Sequence, residues 1–282
     1  MRRITLIIGL LLAIGCGKAP SAAPPAEPRI VVCATVYPLA DVVRQVGGEY
    51  VRVDWILDLG DPMAGFSMSE NERHRLTGVD LLVCNGLGAE AWAMQTIASL
   101  SETGKVVSLD TMRISRTAPP AGALWLDPLI VREFALLLAE RFSARMPARG
   151  EYFRARAQAL ATDLDSATRG ASKGRVQVII PNTMFDPLLD RFGVAGALVD
   201  VDPLRLRSID TDRLRARARK DQIKAIVLPF DTPPGTVAEI EAQTGLRAYL
   251  IDQLGLPQYP EHSGYLEILQ YNLAQLRELR AL

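Results

Sequence analysis

The chain has 282 residues, 49% of them hydrophobic and 23% charged, and its 32 basic side chains balance its 32 acidic ones. That length holds about two domains of ordinary size. The neutral balance leaves neither a basic footprint for nucleic acid nor an acidic tail, so no nucleic-acid partner is expected.

Arg2 and Arg3 precede an apolar run from Ile4 to Ile14, interrupted only by Thr5 and Gly9. The run is too short to cross a bilayer, which takes about 20 residues, and its flanks fit a signal peptide over residues 1–15. It ends in Ala13-Ile14-Gly15-Cys16, which resembles a bacterial lipobox. Cys16 is therefore the expected lipidation site, an ordinary cleaved signal with an incidental cysteine being the alternative. Residues 16–29 then form the acylated cysteine and a flexible Pro/Ala tether that cannot pack a core. The expected location is the cell envelope, with the chain lipid-anchored to a membrane and facing the periplasm or exterior. In that oxidising setting only Cys33 and Cys84 remain as thiols.

From residue 30 the pattern is strand, helix, strand, repeated. Ile30–Ala34 is an apolar run of buried-strand type, and Leu39–Val46 is amphipathic. Val51–Leu57, Asp80–Cys84 and Lys105–Leu109 read as strands, with helices over Glu70–Leu76 and Ala89–Leu100. Residues 111–122 read as a loop. Leu129–Arg145 is helical until Met146-Pro147 breaks it, and a long helix follows over 148–172. There Phe153, Ala157, Leu160, Leu164 and Ala167 form one apolar stripe. The alternation then restarts. Strands are expected at Val176–Ile180, Ala197–Val201, Ala225–Leu228 and Ala248–Ile251. Helices are expected at Pro187–Phe192, Asp212–Lys220, Val237–Thr244 and Tyr265–Arg280. Such alternation predicts parallel sheets covered on both faces. The expected fold is α/β, with Rossmann-like lobes over 30–147 and 173–282 joined by the helix 148–172. A ligand cleft should lie between the lobes, at the carboxyl ends of the strands.

The strongest enzyme signal is Gly86-Leu-Gly88-Ala-Glu-Ala91, which follows a strand and has Asp110 after the next one. It matches a variant dinucleotide fingerprint. It occupies a later strand–helix turn rather than the first, and an exported lipoprotein meets little nicotinamide cofactor, so it reads as a plain turn. There is no phosphate loop, nucleophile elbow or zinc-protease motif, and only two histidines, His74 and His262. Asp163/Asp165 and Asp210/Asp212 read as solvated faces or caps. No enzyme is expected.

Several segments together carry a family resemblance. They are Val32-Cys-Ala-Thr-Val-Tyr-Pro-Leu-Ala-Asp41, Val46-Gly-Gly48, Asp80-Leu-Leu-Val-Cys-Asn-Gly-Leu-Gly88 with Glu90 and Trp92, and Trp125-Leu-Asp-Pro128. Phe185 with Arg191-Phe-Gly193, Thr244-Gly245, Leu250-Ile-Asp252 and Tyr265-Leu-Glu-Ile-Leu-Gln-Tyr-Asn-Leu273 complete the set. In order and spacing this resembles the zinc- and manganese-binding solute-binding lipoproteins of metal-importing ABC transporters. The resemblance implies two α/β lobes spanned by a rigid helix, an ABC permease as partner, and a monomer.

The family's metal is held by three histidines and a carboxylate, and the matched positions depart from that set. The first histidine falls at Asp61-Pro62-Met63, the second at Ala123 and the third at Asn182, while the carboxylate survives as Asp252. A glutamate used by some members falls near Leu228 or Pro229, and the histidine-rich loop is absent from 111–122. Asp252, Asn182 and Met63 are the candidate ligands, and Ala123 occupies a lost ligand position. Alanine ligates nothing, an amide carbonyl is a weak zinc ligand, and a thioether suits Cu(I). No cofactor is certain; the candidate is a divalent or soft transition metal, with Met63, Met68 and Met184 as possible thioethers. Weak binding of Zn²⁺ and Mn²⁺ is expected unless His262 folds back to the cleft. The functional expectation is an importer's binding protein with a degenerate metal site. The alternative is a diverged scaffold that binds a non-metal ligand or acts as an interaction protein at the membrane surface. The family's sheet order also implies that Cys33 and Cys84 lie on neighbouring strands, as buried free thiols or as a strained disulfide.

Overall fold

The computed structural model describes residues 29–57, 66–86, 90–101, 103–112, 122–171, 175–202 and 208–282. Residues 1–15, Cys16, most of the tether, Met63, Gly88 and most of the 111–122 loop lie outside them, as does the end of the 148–172 segment.

Each lobe is a four-stranded parallel sheet. In the first, β1 (Ile30–Val36), β2 (Val51–Leu57), β3 (Leu81–Cys84) and β4 (Val106–Ser108) stand in the order β2-β1-β3-β4. In the second, β5 (Val176–Ile180), β6 (Val194–Leu198), β7 (Ala225–Pro229) and β8 (Arg247–Ile251) repeat that order as β6-β5-β7-β8. The chain therefore reverses direction across each sheet beside its first strand, the place where open α/β sheets form ligand crevices.

The helices of the first lobe are α1 (Tyr37–Gly47), α2 (Glu70–Thr77) and α3 (Met94–Ser101). Ser69 and Glu72 close a capping box at the start of α2. Two long helices follow, α4 (Pro128–Arg145) and α5 (Gly150–Thr168), separated by the break at Met146-Pro147. On α5 the stripe Phe153, Ala157, Leu160 and Leu164 is buried, and Ala167 packs at its margin. The second lobe carries α6 (Asp186–Arg191), α7 (Ser208–Asp221), α8 (Pro234–Thr244) and α9 (Tyr265–Leu279).

The core explains how the lobes are joined. Val32, Ala34 and Val36 of β1 face one way, as the two-residue period of a strand requires. They share one continuous apolar cluster with Phe134 of α4, Leu160 of α5, Leu273 of α9, and Val178 and Ile180 of β5. The central helices thus fill a single layer that serves both sheets. The outer faces have separate cores, one around Cys33, Ile56 and Leu82 and the other around Ile179, Ile226 and Leu214.

One expected strand is displaced: β6 spans Val194–Leu198 rather than Ala197–Val201. It follows directly on Gly193, whose φ of +74° makes the turn out of α6. As an edge strand it leaves Ala195, Gly196 and Leu198 exposed, so the apolar run Ala197–Val201 is not its signature. Cys33 and Cys84 are buried free thiols. Cys33 stands opposite Leu82, and the pairing of Ala34 with Val83 puts Cys84 farther along, so the two are not direct cross-strand neighbours. Burial lifts both thiols to about 12.

Candidate functional site

The carboxyl ends of β1, β3, β5, β7 and β8 meet where the lobes touch, and a set of directed bonds stitches the junction. The Trp125 indole N–H donates to the Gln253 carbonyl at 2.7 Å, and the Tyr265 hydroxyl donates to the Trp125 carbonyl at 2.8 Å. The Tyr37 hydroxyl donates to the Ser263 carbonyl, and the Tyr265 N–H reaches Asp41 Oδ2 at 2.9 Å. Asn85, buried at the end of β3, donates to the Gly122 carbonyl and accepts from Leu124 N–H. Asp127 caps α4 through Leu129 N–H and takes two bonds from Arg191, at 2.8 and 2.6 Å. That bidentate pair raises the Arg191 pKa, chiefly through the hydrogen bonds.

The Gly86 turn shows why no dinucleotide phosphate belongs there. Glu90 is 1% exposed and its carboxylate accepts from the N–H groups of Asn85 and Gly86, as well as from the Thr35 hydroxyl. Burial raises its pKa, and those bonds oppose the rise. At the start of the turn the N–H groups of Asn85 and Gly86, of the kind that would face a phosphate, already hold a carboxylate of the chain itself.

The candidate ligands are not gathered into a shell. Asp252 follows β8 and is fully buried. Its Oδ1 accepts from Leu254 N–H at 3.1 Å and Gly255 N–H at 2.7 Å, and its Oδ2 lies 2.7 Å from His262 Nδ1. Asn182 uses its side-chain oxygen locally, accepting from Met184 N–H at 3.0 Å to cap the turn after β5. Ala123 is buried and its N–H donates to the Met184 carbonyl. Met63 lies outside the described residues, so its side chain has no described place in the cleft. Met68 packs in the outer core of the first sheet with Cys33 and Leu76, which corrects its reading as a cleft thioether. His74 is exposed on α2. Among the described residues no group of three His, Cys, Asp or Glu is placed to hold a metal ion. The donor set there does not fit the zinc site that the resemblance implies.

Two residues near Asp252 stand out beyond the candidates. His262, 5% exposed, is bracketed by the rings of Phe230 at 4.4 Å and Tyr271 at 4.7 Å. Asp231, just past β7, has its pKa raised by burial and, to a smaller extent, by the Asp252 charge. It stands two residues beyond Pro229, close to where the resemblance places the family glutamate. The return of His262, named from the sequence as the exception, does occur, and it brings the imidazole onto Asp252.

Comparison with known proteins agrees with this architecture. The family model described as "Zinc-uptake complex component A periplasmic" matches residues 32–279. A Thermotoga maritima protein named "Putative metal-binding protein" is 22% identical over 99% of both chains. The manganese-binding lipoprotein MntA of Bacillus subtilis is 21% identical over 70% of this chain and 67% of its own. Among solved structures, the Zn(II)-bound ZnuA-like domain of Streptococcus pneumoniae AdcA superposes with a TM-score of 0.76 at 16% identity. That match covers 89% of this chain and 98% of the domain, and at such identity it speaks to the fold.

Proposed function

This chain belongs to the periplasmic component A family of zinc-uptake complexes, and we propose that it is the cargo-capturing, non-enzymatic subunit of a transition-metal ABC importer. The observation that carries the reading is the family match over both lobes, with the carboxyl ends of two like-ordered sheets meeting at a bonded junction. The partner is an ABC permease, and the folded part, a monomer, is held at the membrane surface by a lipid on Cys16. The lipobox-like Ala13-Ile14-Gly15-Cys16 and the proline-rich tether support that anchor. Glu90 on the Gly86 turn supports a binding role over dinucleotide chemistry.

Cellular uptake tests the reading. Cells lacking the gene should accumulate less of at least one labelled ion among Zn²⁺, Mn²⁺, Fe²⁺ and Cu⁺, and the wild-type gene should restore it. Unchanged uptake of all four under metal limitation would overturn the proposal in favour of a non-metal ligand.

A further inference from the structure

The buried Asp252 carboxylate draws its side-chain partners from the segment that immediately follows it. A carboxylate offers about four lone-pair positions, and three are filled by Leu254 N–H, Gly255 N–H and His262 Nδ1. The position left is on Oδ2, the oxygen that His262 already holds, and a metal ligand would need that lone pair directed at the ion.

The imidazole is not free to swing aside. Phe230 and Tyr271 close on its ring, and Tyr271 meets Phe230 edge-on at 5.4 Å. The backbone of His262 is pinned at both ends, its N–H to the Tyr259 carbonyl and its carbonyl to Leu256 N–H. Gly255 makes the return possible. Its φ is +74°, and a Cβ there would lie 2.6 Å from Ile268 Cδ1 and 3.1 Å from the His262 carbonyl oxygen. Behind the carboxylate, Asn272 bonds both the N–H and the C=O of Asp252. The loop from Asp252 to His262 is therefore a closed circuit of hydrogen bonds with the carboxylate at its centre.

We infer that His262 has taken the place of a metal ion as the partner of Asp252, so that Asp252 is a structural anchor and not a cargo ligand in this chain. Any transition metal that the protein captures is held by other donors. The inference builds on the import reading but is decided on the purified protein, so loss of cellular uptake and loss of the Asp252 role are separate outcomes.

The test compares the full chain with Asp252→Asn and His262→Gln, each stripped with chelator. Zn²⁺ and Mn²⁺ are titrated against a chromophoric competitor, and each protein is melted metal-free. Asp252→Asn should match the wild type in affinity for either ion within about twofold. It should melt about 5–10 °C lower without metal, because a buried hydrogen-bonded pair has been broken. A loss of about tenfold or more in affinity for either ion, with the far-ultraviolet circular dichroism retained, would overturn the inference. If Asp252→Asn does not fold, His262→Gln decides, since it keeps an N–H donor near the carboxylate. Unchanged or higher metal affinity in that variant upholds the inference, and a fall of about tenfold overturns it.

Discussion

Arg191 meets Asp127 through two charge-assisted bonds, and Asp127 is only 3% exposed. Removing one member of such a pair leaves the other charge buried without its partner. Arg191→Met should therefore cost about 2–4 kcal/mol in urea denaturation, below the range for a fully buried pair because Arg191 is 30% exposed. Asp186 shows the opposite electrostatics. Burial, helped by the Asp190 charge, raises its carboxyl from 3.8 to about 6. Between those values the folded state holds the proton more tightly than the unfolded state, so stability falls as pH rises through the window. Asp186→Asn should remove that loss, raising the melting temperature at pH 7.5 by about 2 °C and leaving it nearly unchanged at pH 4. A larger gain at pH 4 than at pH 7.5 would reverse the sign argued here. The buried thiols of Cys33 and Cys84, lifted to about 12, should resist alkylation in the native protein and react only in denaturant.

At the scale of elements, α1 ends on Gly48, whose φ is +54° and whose Cβ, if present, would sit 2.0 Å from the Tyr152 hydroxyl of α5. Gly48→Ala would strain the backbone and push α5 away together. Thermal melts should show a loss of about 1–3 kcal/mol, and a neutral result would mean that Tyr152 moves freely. Much of this level was legible in the residues. The stripe from Phe153 to Leu164 carries helical periodicity over about three turns, and β2 and β5 begin and end where their apolar patterns do. The edge strand β6 lies outside its apolar pattern because Ala195 and Gly196 have little apolar surface to mark it, while its ladder is set by pairing with β5. The site was less legible than the fold. The losses at Ala123 and Asn182 are visible residue by residue, yet the bond between His262 and Asp252 depends on a ten-residue excursion turned by Gly255. Periodicity carries no record of such a return, because the segment has none.

At the scale of the molecule, the proposed anchor and the folded part answer to different forces. Cys16→Ser should lose fatty-acid labelling and leave the membrane fraction; retention after a carbonate wash would refute the anchor. The folded part is held by one apolar layer, with Phe134, Leu160 and Leu273 packing between strands of both sheets. That arrangement decides what the scaffold can afford to lose. In small zinc domains the metal supplies much of the folding free energy, and a lost ligand is a lost fold. Here much of the strength lies in that hydrocarbon layer, so alanine and asparagine can stand at positions 123 and 182 while the body stays intact, whereas Asp252 is part of the bonded frame itself. Under the proposed import role, the shape offered to a permease is set by that layer and not by the residues that stand at positions 123 and 182.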